Sequence, residues 1–323
     1  MTGGHRPAGV SPAGRSPAHG FCDDEVTRRL LRSRPPRQAL AWAAAQLGGP
    51  VTNARALRGG MSSAVHLLSV QDSGGRRRQA VLRRYVRPEL NAEDPDIAAR
   101  EARALRVAGS AGVPTPALFG VDPSGDGAGV PAVLMSRLPG RVDWWPSDTG
   151  RWLRRLAGVL PAIHAAPLPP AGLIGPFAAC PQASYEPPAW ARYPAVWQRA
   201  AEICHGPAPG LPAVLLHRDF HPGNVLWRWG TVSGVVDWQA ACTGPAVADV
   251  AHCRVNLLTF GSDVAERFTA LWQHTAGAGY HPWADVVTII GFLDDLRGDW
   301  GSERLLVEDM LARAVAELGG NTR

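Results

Sequence analysis

Between residues 51 and 136 apolar and polar side chains alternate with the two-residue period of β-strands, and beyond residue 148 the apolar positions recur at helical spacing. Val51 to Arg58, Ala64 to Val70 and Gln79 to Val86 read as three strands, with Ala117 to Val121 and Val130 to Ser136 as two more. The glycine turn Gly59-Gly60-Met61-Ser62-Ser63 joins the first to the second. Gln38 to Leu47 reads as a short helix closed by Gly48-Gly49-Pro50, and Asp94-Pro95 predicts the N-cap and first turn of a helix running to about Ala108. Trp152, Leu156, Val159, Leu160 and Ile163 then set one apolar stripe on a helix from Asp148 to Ala165, kinked at Pro161. A helix follows Gly244-Pro245, and three more are expected over Asp263 to Ala276, Pro282 to Leu296 and Glu303 to Leu318. Strands first and helices afterwards imply an α+β chain.

The densest chemistry lies in residues 217 to 238, HRDFHPGNVLWRWGTVSGVVDW. Val225 to Trp229 and Val232 to Trp238 read as strands joined by Gly230-Thr231, a two-residue loop with Gly first that suits a type II′ turn. Trp229 then faces Val232, and counting back sets Asn224 opposite Asp237, with Cβ atoms roughly 4.5–5.5 Å apart on one face. An amide and a carboxylate so placed make a cradle for a hard cation such as Mg²⁺. Asp219 lies on the loop entering the hairpin, where its carboxylate can accept a proton from a hydroxyl beside a metal-bound phosphate. That combination reads as a phosphoryl-transfer site. His217, Asp219 and His221 also spell the H-x-D-x-H of zinc hydrolases, although no second cluster with ligand spacing accompanies them.

The order H-x-D-x-x-x-x-N followed by a strand-end Asp resembles the catalytic loop and metal-binding Asp of kinases. More narrowly, HRDFHPGNVLW with VVDWQ is similar to the aminoglycoside phosphotransferase and choline kinase branch of small-molecule kinases. The resemblance implies a bilobal protein kinase-like fold: an antiparallel-sheet N-lobe with hinge over residues 38–138, and a mainly α-helical C-lobe over 139–323 that carries catalysis and the acceptor. It implies Asp219 as catalytic base, His221 near the transferred phosphate, Asn224 and Asp237 as Mg²⁺ ligands, and ATP, with GTP as an alternative, as co-substrate. Gly59, Gly60, Ser62 and Ser63 would lie against the phosphates, where glycine lets backbone N–H groups approach.

In QAVLRRYV, Val81 and Arg83 share a face, and Arg83 stands where kinases present a Lys to the phosphates. Glu101 occupies the place of the acid that pairs with that cation. The run VLMSRLPG resembles the hinge, and an adenine there would meet the Ser136 carbonyl and the Leu138 N–H with Met135 behind the base. Asp249 matches the D-x-A that supports the catalytic loop, with an ion pair to Arg218 expected, and His164 reads as a structural hydrogen-bonding residue. The Pro-rich stretch 167–194 is expected to shape access for the acceptor. That acceptor is a small hydroxylated molecule: an aminoglycoside first, with choline, homoserine or a sugar using the same core. A catalytically idle pseudokinase acting as a binding module is the alternative from another class.

Composition narrows this picture. All 33 basic residues are Arg, so a kinase strand Lys is excluded in its usual form, and a guanidinium must do its work. Residues 1–37, 38–140 and 141–323 carry net charges of +4, +4 and −3, which is no continuous nucleic-acid patch and suits a basic half meeting nucleotide phosphates. Asp294, Asp295, Asp299 and Glu303 form either a solvated helix face or an acidic wall for a cationic acceptor. No run of about 18 apolar residues is present to span a membrane. Residues 1–37, rich in Gly, Pro, Ser and Ala, read as a disordered extension without a secretory signal. The five cysteines are odd in number and lack C-x-x-C spacing, which predicts free thiols in a reducing cytoplasm rather than a disulfide framework. These features set no oligomeric state.

Overall fold

The computed structural model describes residues 25–57, 62–71, 74–180, 185–293 and 303–320. Five strands, β1 (Val51–Ala56), β2 (Ala64–Gln71), β3 (Arg77–Arg84), β4 (Leu118–Asp122) and β5 (Ala132–Ser136), make one antiparallel sheet in the order β1-β2-β3-β5-β4. The period-two pattern of β2 creates its two faces: Ala64, His66, Leu68 and Val70 are buried while Val65, Leu67 and Ser69 are partly open. On the buried face Leu68, Leu82 and Leu134 pack against Ala39 and Ala43 of helix α2 (Arg37–Leu47), whose small side chains admit a close helix-on-sheet approach. Tyr85, Val133 and Met135 belong instead to a second core that contains Ile97, Ala98 and Leu105 of α4 (Ile97–Ser110).

After β5 the chain passes through Pro139 and Gly140 into β6 (Arg141–Val142), which pairs with β8 (Val225–Arg228) and through it with β9 (Thr231–Val235). Gly140 has φ 114°, and a Cβ there would lie 2.8 Å from the Trp227 carbonyl, so only glycine fits this crossing. The rest is helical: α5 (Thr149–Ala157), α6 (Leu160–His164), α7 (Pro194–His205), α8 (Val247–Leu257), α9 (Ser262–Ala276), α10 (Trp283–Gly291) and α11 (Glu303–Gly320). A further two-stranded pair, β7 (Ala213–Leu216) with β10 (Cys242–Pro245), brackets the residues of interest. The buried carboxylate of Glu308 fastens α11, accepting hydrogen bonds from Trp197 Nε1 at 3.1 Å, Arg192 Nε at 2.7 Å and the Arg192 and Tyr193 N–H groups at 2.8 and 3.0 Å. Four donors on one carboxylate are what make its burial tolerable. Among the described residues, no helix is long and apolar enough to cross a membrane.

The α+β, bilobal kinase-like architecture is therefore present, with local corrections. Within the extension expected to be disordered, Glu25–Arg32 forms helix α1, and Leu31 is buried with Ala64 and Val86. Asp94 does not cap the helix that carries Glu101: Pro88–Glu93 forms its own turn of helix, α3, and α4 begins after Asp96. Asp94 is occupied by Arg100, whose Nη1 donates to it at 2.9 Å. The helix expected over 148–165 breaks at Gly158-Val159, which places Pro161 in the first turn of α6, where it lacks no hydrogen-bonding partner. Cys180 and Cys204 are joined as a disulfide, contrary to the free-thiol reading: the Pro-rich stretch returns Cys180 to the end of α7, 24 residues away in sequence, with Cα atoms 5.9 Å apart.

Candidate active site

The hairpin β8–β9 exists, but in a different register from the one the sequence suggests. Its two-residue loop is Trp229-Gly230, both at positive φ (51° and 70°), as a type I′ turn requires, so Arg228 rather than Trp229 faces the returning strand at Thr231. The Arg228 guanidinium lies over the Trp229 ring at 3.9 Å. Pairing then shifts by one between Trp227 and Leu226, leaving Ser233 as the extra residue of a β-bulge. Asn224 consequently lies across from Val236, whose N–H donates to the Asn224 carbonyl at 2.9 Å. The expected opposition of Asn224 and Asp237 is not found. Asp237 stands one residue beyond that pair at φ 69°, a left-handed conformation that takes its side chain out of the strand pattern.

That turn carries Asp237 to Arg83. One guanidinium nitrogen, Arg83 Nη1, donates to Asp237 Oδ1 at 2.6 Å and to Glu101 Oε1 at 3.0 Å. Tyr85 adds a hydroxyl bond to Glu101 Oε2 at 2.7 Å. Burial alone would lower the Arg83 guanidinium, but the carboxylates of Asp237 and Glu101 outweigh it and hold the group well above its ordinary value. The strand cation, the helix acid and the strand-end acid are thus one buried cluster. Further ties close the same region: Arg100 Nε donates to the Gln239 carbonyl at 2.6 Å, and Ser62 Oγ and the Gln239 amide are joined at 3.0 Å.

Asp219 is held from two sides. Asn224 Nδ2 donates to Asp219 Oδ2 at 2.9 Å and to the Asp219 carbonyl at 2.8 Å, while His252 Nε2 lies 3.0 Å from Oδ1 and His221 Nε2 lies 3.7 Å from the same oxygen. Burial would raise this carboxyl, yet the adjacent His221, His252 and His217 keep it well below the usual carboxylate range. Its side chain retains 31% of its accessibility, enough for an acceptor to reach it. His252, on α8, escaped the sequence reading because it lies 33 residues after Asp219 and outside every motif used. The zinc-hydrolase pattern does not assemble: His217 Nε2 is 2.9 Å from the Val236 carbonyl and its Nδ1 accepts the Asp219 N–H at 3.3 Å, so both ring nitrogens serve the backbone.

Asp249 supports the loop by a route other than the expected ion pair. Its Oδ2 and Oδ1 accept the backbone N–H groups of His217 at 2.9 Å and Arg218 at 2.7 Å, and His164 Nε2 approaches Oδ2 at 3.1 Å. The Arg218 side chain instead lies over Phe177, 4.8 Å from the ring centre. Burial pushes the Asp249 carboxyl up, and His164, His217 and the loop N–H bonds pull it below its ordinary value. A folded pKa below the unfolded one contributes stability in full above about 3.9 and loses it as pH falls through the folded value. Asp249→Asn should therefore lower unfolding stability at pH 7 by about 1.5–3 kcal/mol, since one amide hydrogen must face a loop N–H. In urea titrations the gap should shrink at about pH 3, below the ordinary carboxylate pKa; an equal gap at both pH values would refute the assignment.

The remaining predicted residues fall as follows. Gly59 and Gly60 lie outside the described residues, as do Asp294, Asp295 and Asp299; Ser62 is half-buried and Ser63 buried at the start of β2. Met135 is buried on β5 opposite Val81, and the Ser136 N–H donates to the Ala117 carbonyl at 2.8 Å. Leu138 packs on Gly234, where a Cβ would collide with its Cδ1, so the hinge rests directly on the bulged strand β9. Glu303 accepts the Thr259 hydroxyl at 2.7 Å rather than facing solvent alone. For a metal, Asn224 Oδ1 and the Asp237 carboxylate are hard oxygen donors of the kind Mg²⁺ selects, with Asp237 Oδ1 already engaged by Arg83.

Comparison with known proteins agrees with this fold. A ternary complex of a thermostable mutant of aminoglycoside phosphotransferase APH(4)-Ia with AMP-PNP and hygromycin B superposes with a TM-score of 0.59 at 19% identity, covering 88% of this chain and 99% of that one. Macrolide 2′-phosphotransferase MphH from Brachybacterium faecium gives 0.52 at 19% identity, over 83% and 96%. At such identities these likenesses establish the fold. Homoserine kinase of Azorhizobium caulinodans is 38% identical over 81 residues, a match spanning 25% of this chain and about a quarter (24%) of that protein. The family model described as the phosphotransferase enzyme family matches residues 53–286, well over half of the sequence, and the chain belongs to that family.

Proposed function

We propose that this protein transfers the γ-phosphate of ATP to a hydroxyl of a small molecule. The observation that carries the reading is the Arg83 bridge, which gathers Glu101 and Asp237 from distant parts of the sequence around a single nitrogen. In this reading residues 38–138 bind the nucleotide, with GTP as an alternative donor, and 139–323 hold the acceptor. The acceptor oxygen forms a bond to the γ-phosphorus as the bond from that phosphorus to the β,γ-bridging oxygen breaks and ADP leaves. Asp219 accepts the hydroxyl proton, and His221 stands beside the transferred group. When bound, Mg²⁺ on Asn224 and Asp237 would neutralise phosphate charge. Most of the acceleration then comes from placement and fixed electrostatics rather than from covalent chemistry of the protein. The need for nucleoside triphosphate favours a cytoplasmic site of action, where the Cys180–Cys204 bridge would be an exception to the usual reduced thiols.

One feature beside the base bears on the acceptor. Trp145 is half-exposed and meets Phe260 edge-on at 5.2 Å, backed by the buried Trp144, which lies 5.8 Å from His221 and stacks 6.3 Å from Phe260. Indole faces receive sugar rings and ammonium groups alike. This wall favours a sugar-bearing acceptor such as an aminoglycoside over a short acyclic one such as homoserine. With labelled Mg·ATP, transfer to an aminoglycoside should exceed transfer to homoserine by at least about tenfold in kcat/KM, the scale that pocket contacts supply. The reverse order would discard the acceptor class, and absence of any thermal stabilisation by Mg·ATP would discard the kinase reading for the idle or unrelated alternatives.

A further inference from the structure

We infer that His252 is a positioning residue for phosphoryl transfer, orienting the Asp219 carboxylate through its Nε2–H, with Arg218 selecting the tautomer that carries this hydrogen. The inference rests on the proposed phosphotransferase reading and adds a residue that no family motif in the sequence marks.

The geometry is consistent from the helix upward. Asp249 and His252 are three residues apart on α8 and therefore project from neighbouring positions of one face. Asp249 holds the loop backbone at His217 and Arg218, and His252 reaches the side chain of the next residue, Asp219. The His252 ring is buried, tilted against Phe292 at 5.0 Å and lying 6.0 Å from the His221 ring. Arg218 Nη1 stands 3.5 Å from His252 Nδ1. A guanidinium can only donate, so Nδ1 must act as acceptor and the single hydrogen of a neutral imidazole sits on Nε2, facing Asp219 Oδ1. Arg218 is itself fixed by its backbone bond to Asp249 and its seat on Phe177.

Each carboxylate oxygen of Asp219 thereby receives one donor, His252 on Oδ1 and Asn224 on Oδ2. Two donors on opposite oxygens fix the plane of the carboxylate while leaving each oxygen a further lone pair. A carboxylate able to rotate would present that lone pair to the acceptor hydroxyl only part of the time, and the loss would appear in turnover rather than in nucleotide affinity.

The test uses the full chain with Mg·ATP and water as the phosphoryl acceptor, read as ADP released, beside calorimetric binding of Mg·ATP. His252→Phe keeps the ring and its packing but removes the donor; kcat should fall about 10–100-fold, by analogy with loss of the hydrogen-bond partner that orients a metal-ligating residue, with Mg·ATP affinity unchanged. His252→Gln places an amide nitrogen near the Nε2 position and should recover most of the loss. If His252→Phe does not fold, His252→Gln against His252→Asn decides, because the shorter amide cannot reach Oδ1. Wild-type turnover in His252→Phe, or equal defects in folded Gln and Asn variants, overturns the inference alone. Wild-type protein that neither binds Mg·ATP nor releases ADP removes the phosphotransferase reading, and this inference with it.

Discussion

Asp219→Asn should lower kcat by about 10²–10⁴-fold, the range for loss of a general base, while Mg·ATP binds as before. The substitution preserves shape, so the result reports charge, proton acceptance and one lost acceptor oxygen. Asn224 Nδ2 donates to one oxygen of this side chain, and His252 Nε2, inferred to carry the hydrogen, lies 3.0 Å from the other. Only an ionised carboxylate can accept from both, whereas an amide must turn its NH₂ toward one of them. That mismatch costs stability of order 1–3 kcal/mol, the penalty of an unmade buried hydrogen bond, so melting temperature has to be measured beside turnover. The carboxyl is held low by the surrounding histidines, which makes it a weak proton acceptor at rest. A weak base suits a reaction in which the hydroxyl loses its proton late, after the γ-phosphoryl has largely separated from ADP. Turnover above about a tenth of wild type would be incompatible with the 10²-fold minimum expected of a general base, and would move Asp219 from chemistry to loop structure.

How much of this could be read from the chain is best judged residue by residue. The pairing of Arg83 with Glu101 was legible because each sits in its own short pattern, and the order of those patterns along the chain carried the inference. The five strands of the large sheet and helices α2, α9 and α11 were legible within a few residues because their periodicity is strong, whereas α1, α3, α7 and the short strands β6, β7 and β10 were not. The register of the β8–β9 hairpin was not. It depends on a left-handed Trp229, an unusual conformation for that residue type, and on a bulge at Ser233 that nothing in the local composition announces. A one-residue slip reverses every face, so the predicted contact between Asn224 and Asp237 failed, and Asp237 meets Arg83 instead, a contact outside the expectations. His252 and the Cys180–Cys204 bridge were invisible for a different reason: both depend on where helices α7 and α8 dock, which is settled by packing of the whole second lobe.

Removing Arg83 should damage folding and nucleotide binding together, and the two losses can be separated. Arg83 is 7% exposed and Glu101 1%, so Arg83→Met leaves Glu101 buried without its cation, held by the Tyr85 hydroxyl and the Trp238 backbone and opposite a second carboxylate at Asp237. Breaking a buried pair by deleting one member costs about 3–5 kcal/mol, chiefly because the survivor is an uncompensated charge. Urea unfolding of Arg83→Met should therefore show a loss of that size, and Mg·ATP binding should fall to the limit of detection. Glu101→Gln in the same protein removes the stranded charge and should restore much of the stability, a coupling that a double-mutant cycle reads directly. It should not restore nucleotide binding, because no cation faces the phosphates. Arg83→Lys supplies the contrast. Both carboxylates are met by one guanidinium nitrogen, an arrangement an ammonium can approximate, so this variant should fold well and regain part of the nucleotide affinity. If Arg83→Met unfolds within about 1 kcal/mol of wild type, or Glu101→Gln fails to relieve it, the cluster is not a buried charge balance whose broken half is destabilising, and its assignment as the nucleotide anchor falls with it.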